Sequence, residues 1–229
     1  MAGIVSALWR YPVKSMLGEE CAAVELETRG VRGDRRFAVR GDDGRLGSGK
    51  NSRRHRHIEG LFTFRACYAG DAPEITFPDG RRLRAGDAGI DAALSEALRT
   101  PVVLAAEDGI SHFDSGPIHL VSSASLEWLR SRLPGSRIDE RRFRPNLLIT
   151  SEESEQAWIG RLLQIGDVRL RVTDPTERCG MTTFAQSDLP FDAKILRSIA
   201  QEADQRFGVY AEVVQPGRIS RGDAVTIGP

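Results

Sequence analysis

A β-rich α+β chain, its strands closed into barrels or packed as sheets, is the fold class that three features of the sequence predict. Short alternating or wholly apolar runs dominate, Gly, Asp or Pro bounds nearly every one of them, and only three stretches carry an apolar stripe at helical spacing. With 229 residues, 40% of them hydrophobic, the chain can bury a sizeable core in one large domain or two small ones.

Taken in order, Ile4 to Trp9 reads as a first strand, and Phe62 to Tyr68 as an alternating one. Asp79-Gly80 between Ile75-Thr76-Phe77 and Leu83 is a hairpin signal that Pro78 weakens, since proline cannot donate to a ladder. A short helix runs through Asp91–Leu98, and a new apolar strand follows it. Two β-rich units sharing an interface are therefore expected, 1–98 and 99–229. Ser122 or Ser123 can cap a second helix that places Leu126, Leu129 and Leu133 on one face and stops at Pro134-Gly135. Leu163 to Val172 reads as two half-buried strands joined by Gly166-Asp167, a pair that suits a two-residue turn. The second of these strands is expected to end at Asp174-Pro175. A third helix starts near Asp192 and buries Ile195, Leu196, Ile199 and Ala203. Val209, Ala211 and Val213 alternate before Pro216-Gly217, and Gly222-Asp223 before Val225 and Ile227 gives another hairpin signal.

Thirty-two basic side chains balance 32 acidic ones, so the molecule has no net field to draw it to nucleic acid or a membrane surface. Any anion site must be local, and cations are in excess over the first 60 residues, most densely in Lys50–His57. No run approaches the roughly 20 apolar residues of a membrane helix, and the N-terminus has no signal-peptide layout, so a cytoplasmic protein is expected.

Three motifs have a functional and a plain reading. Gly44 to Ser52 nearly spells a phosphate-binding loop, but Asn51 stands where a magnesium-binding hydroxyl belongs and no helical stripe follows. An ordinary hairpin tip is the better reading. His55 and His57 would share one face of a strand and could hold zinc, yet no further ligand is visible. A solvated basic edge strand is the better reading. Of the three cysteines, Cys21 and Cys67 sit in contexts that suit small packed side chains, and the spacing supports neither a disulfide framework nor a Cys-x-x-Cys site. Cys179 differs: it follows a strand end, between Arg178 and Gly180, where a thiol can be reached and can act as nucleophile or soft metal ligand.

Several segments together resemble the MOSC (molybdenum cofactor sulfurase C-terminal) superfamily, of the kind that includes the mitochondrial amidoxime-reducing component and bacterial relatives. Tyr11-Pro-Val-Lys14-Ser15 and Gly30-Val-Arg-Gly-Asp34-Arg35-Arg-Phe37 resemble its N-terminal β-barrel module. Asp114-Ser-Gly-Pro117 with Ile118–Ser123, Phe143-Arg144-Pro145-Asn146-Leu147, Arg178-Cys179-Gly-Met-Thr182-Thr183 and Gly217–Val225 resemble the MOSC domain, in the family's order. The resemblance implies a MOSC-type β-barrel with a second, N-terminal β-barrel module and a few short helices. It also implies the molybdenum cofactor (molybdopterin), with Cys179 as the catalytic residue and metal ligand, and Lys14, Ser15, Arg35, Arg144, Asn146 and Arg178 around the pterin and its phosphate. The implied activity is an oxidoreductase that reduces N-hydroxylated or S-oxide small molecules with electrons from a separate donor protein. The rival is a sulfur or cofactor carrier in which Cys179 bears a persulfide. Pyridoxal phosphate is not expected, because the chain does not resemble the sulfurase domain that uses it.

Overall fold

A computed structural model describes residues 3–228. Eleven strands precede the second half of the chain: β1 (Gly3–Arg10), β2 (Glu19–Cys21), β3 (Ala23–Glu27), β4 (Gly30–Val31), β5 (Phe37–Gly41), β6 (Leu46–Ser48), β7 (His55–His57), β8 (Arg65–Ala69), β9 (Ala72–Thr76), β10 (Arg82–Arg84) and β11 (Val102–Ala106), with helix α1 (Ile90–Leu98) before the last. The second half holds β12 (Ile118–Ser122), α2 (Ser123–Arg132), β13 (Leu147–Thr150), β14 (Leu162–Ile165), β15 (Val168–Glu177), α3 (Ala193–Glu202), β16 (Arg206–Gln215), β17 (Gly217–Ser220) and β18 (Ala224–Gly228).

Seven strands close into a barrel in the order β13-β12-β16-β15-β14-β18-β1, and β1 returns to pair with β13, while β2 extends the sheet beyond β1. The first strand of the chain is thus a stave of the C-terminal barrel. A register irregularity between Val5 and Ala7 interrupts its alternation, so that Val5 and Leu8, three residues apart, are both fully buried with Leu120, Leu147, Ile149, Leu163, Leu170 and Val225 in one continuous core. Three smaller sheets, β10-β9-β8, β11-β5-β6-β7 and β17-β3-β4, complete the fold. A second core joins Val13, Met16, Val39, Phe64, Ile75 and Leu94, and a third packs α2 and α3 through Leu126, Leu129, Ile195 and Ile199.

The helices start where capping residues allow. The Ser122 side chain accepts from the Ser125 N–H and Asp192 from the Lys194 N–H. Gly166 takes φ 56 between β14 and β15, as a tight hairpin requires. Two expectations are corrected. Pro175 does not end its strand: β15 continues to Glu177 through irregularities on either side of Pro175, which suspend the ladder where proline has no N–H to give. Gly222-Asp223 makes a tight turn but no hairpin, because β17 before it pairs with β3 and β18 after it pairs with β14 and β1. No described helix is long and apolar enough to cross a membrane.

Candidate functional site

The turn after β1 is built by mutual backbone and side-chain bonds. The Tyr11 N–H donates to Asp34 Oδ1 at 2.7 Å, the Arg35 N–H returns to the Tyr11 carbonyl at 2.7 Å, and the Arg35 guanidinium pairs with the Asp34 carboxylate. Lys14 N–H donates to the Phe37 carbonyl at 2.8 Å. Ser15, Arg35 and Arg144 adopt φ of 65°, 50° and 55°, the left-handed region that costs a residue with a Cβ roughly 1 kcal/mol or more. Three such residues from three separate segments meet at one place, which marks it as a site where backbone strain is tolerated.

That place is a cleft of about 610 Å³ whose walls include Lys14, Ser15, Arg35, Arg144, Asn146, Arg178 and Cys179, all seven residues singled out above. Cys179 follows β15 and caps a 3-10 turn, Gly180–Thr183, whose Thr182 N–H and hydroxyl both donate to the Cys179 carbonyl. The cysteine itself is half-buried. Arg178 is anchored beside it: Nη2 donates to the Phe143 carbonyl at 2.9 Å, and the Gln205 amide donates to the Arg178 carbonyl at 2.8 Å. Arg144 donates Nη1 to the Met16 carbonyl at 2.6 Å and lies over the Tyr11 ring, 4.2 Å from its centroid. Asn146 ties strands together, its Oδ1 accepting from the His119 N–H and its Nδ2 donating to the Trp9 carbonyl. The Ser15 hydroxyl donates to the Gly47 carbonyl.

The cleft is biased toward anions at these residues. Among the described residues neither Arg144 nor Arg178 makes an ion pair, and Arg178 Nε is buried without a partner. Burial lowers the Arg144 pKa to about 10, with neighbouring Arg35 adding to the effect, and burial also lowers that of Arg178. Burial draws Lys14 down to about 8 against the opposing pull of Asp114, whose Oδ1 accepts from Lys14 Nζ at 3.1 Å. Arg144 and Arg178, desolvated and without a carboxylate partner, are the kind of donors a phosphate needs. A metal held by protein alone is a poorer match: no group of three or more His, Cys, Asp or Glu is placed to bind one among the described residues. A metal at Cys179 would need its remaining donors from a ligand, and a cofactor that brings its own donors and an anionic tail fits both observations.

The cleft residues outside the candidate set include Lys50, Asp114, His119 and Tyr210. Asp114 accepts at the cleft mouth from Lys14 and also faces Lys50 Nζ at 3.6 Å and His55 Nε2 at 3.5 Å. His119 is buried, with Nδ1 3.4 Å from the Arg144 carbonyl and Nε2 3.5 Å from Arg178 Nη1. Burial and Arg178 hold its pKa well below the usual histidine value, so the ring is neutral. A polar residue inside the apolar run Ile118–Val121 was the available signal for it.

The near-phosphate loop is structural. Gly49 lies so close to the cysteine loop that a Cβ there would sit 2.9 Å from Met181 Cγ, and β7, not a helix, follows Lys50. In β7, an edge strand, His55 is buried and bonded to the Ser52 hydroxyl while His57 is exposed, so the two imidazoles occupy different environments. Cys21 and Cys67 are half-buried, the first packed against the barrel core.

Comparison with known proteins gives a consistent result. The family model described as MOSC domain matches residues 107–226, and the MOSC N-terminal beta barrel domain matches residues 2–85. The chain is 28% identical to mitochondrial amidoxime-reducing component 1 of Mus musculus over 97% of its length and 82% of that protein's. It is 34% identical to molybdenum cofactor sulfurase 2 of Culex quinquefasciatus, over 42% of this chain and 14% of that one. Among solved structures, the YUAD protein from Bacillus subtilis superposes with a TM-score of 0.58 over 99% of this chain and 96% of that one, at 14% identity, which speaks to the fold alone.

Proposed function

The chain belongs to the MOSC domain family, and on that premise we propose that its cleft binds the molybdenum cofactor, with Cys179 as the protein's ligand to the metal. The observation that carries this reading is that Cys179, Lys14, Ser15, Arg35, Arg144 and Arg178, drawn from segments far apart in sequence, line one cleft. The guanidinium forks and the Lys14 ammonium hold the phosphate of the pterin, and the Ser15 hydroxyl supports them. Asn146 serves by bracing the strand ends that carry the arginines. Cys179 donates a soft sulfur, and the 3-10 turn that follows fixes its backbone. The turn after β1 and the stretch before β5 supply Lys14, Ser15 and Arg35, while the segments around Arg144 and after β15 supply Arg144, Asn146, Arg178 and Cys179, so stretches far apart in the chain assemble one site.

The cofactor, held by these residues, would supply two-electron reduction of an N–O or S–O group, consuming two electrons from a donor protein and two protons so that the oxygen leaves as water. On this reading the protein is a reductase of small N-hydroxylated or S-oxide compounds, with electrons from a separate protein. The relative's name, amidoxime-reducing component, supports the nitrogen substrates first. Molybdenum and pterin content of the wild type and Cys179→Ala, both produced in a host that makes the cofactor, tests the assignment. We expect about one molybdenum per wild-type chain and close to none in the variant, with the same far-UV circular dichroism. Equal molybdenum in both proteins would refute it. A labile extra sulfur on Cys179 by mass spectrometry, with no reductant-driven conversion of an amidoxime, would instead make the protein a sulfur carrier.

A further inference from the structure

Arg142 lines the cleft and is fully buried, yet the carboxylates nearest to it in the chain are taken by others: Asp139 pairs with Arg141, and Asp188 with Arg137 and Arg141. It closes a short 3-10 turn, Glu140–Arg142, that Asp139 caps by accepting from the Arg141 N–H. From there each nitrogen of the guanidinium donates to backbone carbonyls. Nε donates to Arg137 at 2.9 Å, Nη2 to Pro190 at 2.8 Å, and Nη1 is shared between Thr182 at 3.5 Å and Phe184 at 3.4 Å. Among the described residues no other donor reaches these four carbonyls.

Two of the four stand at the far end of the turn that begins at Cys179. Thr182 gives its N–H and its hydroxyl to the Cys179 carbonyl, at 3.2 and 3.0 Å, and its own carbonyl accepts from Arg142. A chain of hydrogen bonds therefore runs from Arg142 through Thr182 to Cys179, and Thr182, the link, is only 1% exposed. The Phe184 and Pro190 carbonyls bracket the loop that follows. Its tip is tied to the same segment, since Arg137 and Arg141 both donate to Asp188. The last carbonyls of a helical turn lack partners within it, and a cation is the favoured neighbour there. A guanidinium has five N–H groups in one rigid plane and can serve carbonyls on two sides; an ammonium has three and no plane.

We propose that Arg142 is a positioning residue for Cys179: its fork holds the far end of the cysteine turn and so fixes the sulfur where it meets the cleft. Arg144, two residues on, faces the same cleft, so one short stretch of chain sets both the thiol and an anion donor. The consequence for a metal rests on the assignment of Cys179 given above, whereas the clamp itself does not. A buried arginine that merely stabilised the fold would act on all three cysteines alike.

Arg142→Lys keeps the positive charge and removes the fork. Native-state alkylation by iodoacetamide, followed by mass spectrometry of the cysteine peptides, sets the turn against the rest of the fold, because Cys21 and Cys67 are also half-buried but lie in β2 and β8. In full-length protein from a host that does not make the cofactor, Cys179 should react about five- to tenfold faster in Arg142→Lys than in wild type, with Cys21 and Cys67 within about twofold. In protein from a host that makes it, the variant should keep about half or less of its molybdenum through a dialysis that wild type withstands. Thr182→Val removes only the hydroxyl link and should raise the Cys179 rate alone by about twofold or more, which decides the matter if Arg142→Lys does not fold. An unchanged Cys179 rate, or three rates that rise together, would overturn the proposal. A wild type without molybdenum would remove the cofactor reading and leave the alkylation rates to decide on Arg142.

Discussion

Lys14 Nζ donates to Asp114 Oδ1 at 3.1 Å, a contact that joins the first turn of the chain to the loop entering the barrel. Lys14 is 3% exposed and Asp114 is 44% exposed, so the pair has one buried and one wet end. The solvated end limits what the ion pair adds to stability, and the buried end makes the lysine titrate early. Burial lowers Lys14 to about 8 from an ordinary 10.5, and the carboxylate offsets only part of that. Burial would raise the Asp114 pKa, but Lys14 and Lys50 outweigh it and hold the carboxyl well below its usual range.

Two consequences of opposite sign follow for pH. Between about pH 8 and 10.5 the unfolded chain keeps a proton on Lys14 that the folded chain has released, so this lysine makes the fold relatively more stable as pH rises through that window. Anion binding runs the other way, since the same deprotonation removes one donor and one charge from the cleft. Sulfate, whose charge is constant over this range, should bind about tenfold more weakly at pH 9.5 than at pH 7. Calorimetric titration measures it, and Lys14→Met should flatten the profile; a profile unchanged by that substitution would remove Lys14 from the anion site.

Gly208 is required by His119. It adopts φ 85, and a Cβ there would overlap His119 Nε2 and sit 3.0 Å from the Leu120 carbonyl oxygen. Gly208→Ala should therefore destabilise the protein by about 2–4 kcal/mol, combining backbone strain with displacement of a buried ring. The denaturant midpoint reports the loss. Because His119 faces Arg178, sulfate affinity should fall as well, and a variant of normal stability and affinity would show that the ring has room to move.

Strand alternation made the barrel legible from the sequence, since Leu163, Ile165, Leu170 and Val172 bury one face each, and the capping residues Ser122 and Asp192 announced their helices. Closure was not legible, because nothing local in Ile4–Trp9 says that its ladder partners lie in β13 and β18. Pro175 misled for the same reason: its ring argues for a strand end, and only the neighbouring strand β16 reveals that pairing resumes at Glu177. The cleft was legible as a set of residues through family resemblance. Its conformations were not, for no propensity favours a left-handed Ser15, Arg35 or Arg144, and tertiary bonds alone impose them. His119 is visible as a polar residue in an apolar run, which reports its burial, but the run says nothing of the Arg144 and Arg178 groups that it meets.

Arg144 tests the value of the planar fork. It bonds the Met16 carbonyl, stacks over Tyr11 and lines the cleft, three tasks that a guanidinium can do at once and an ammonium cannot. Arg144→Lys keeps one charge, so a purely electrostatic role predicts sulfate affinity within about twofold of wild type. Loss of bidentate donation predicts about a tenfold weakening, which is the outcome expected here and is measurable by titration at pH 7.

The buried carboxylate of Glu155 supports the barrel without touching the cleft. Oε2 accepts from the Ser122 N–H at 2.9 Å and from the Ser122 and Ser125 hydroxyls at 2.6 and 2.7 Å, and Oε1 accepts from the Gly208 N–H at 2.9 Å. One side chain thus satisfies the start of α2 and the strand that positions His119. Replacing it by glutamine turns an acceptor oxygen into a donor amide, which faces either the Gly208 N–H or the Ser122 N–H as a donor against a donor. Glu155→Gln should cost about 2–4 kcal/mol, near the cost of breaking a buried charged network. Urea unfolding would show a lower midpoint with an unchanged slope, and a variant within about 0.5 kcal/mol of wild type would mean that water reaches these groups and the network is not a pillar of the fold.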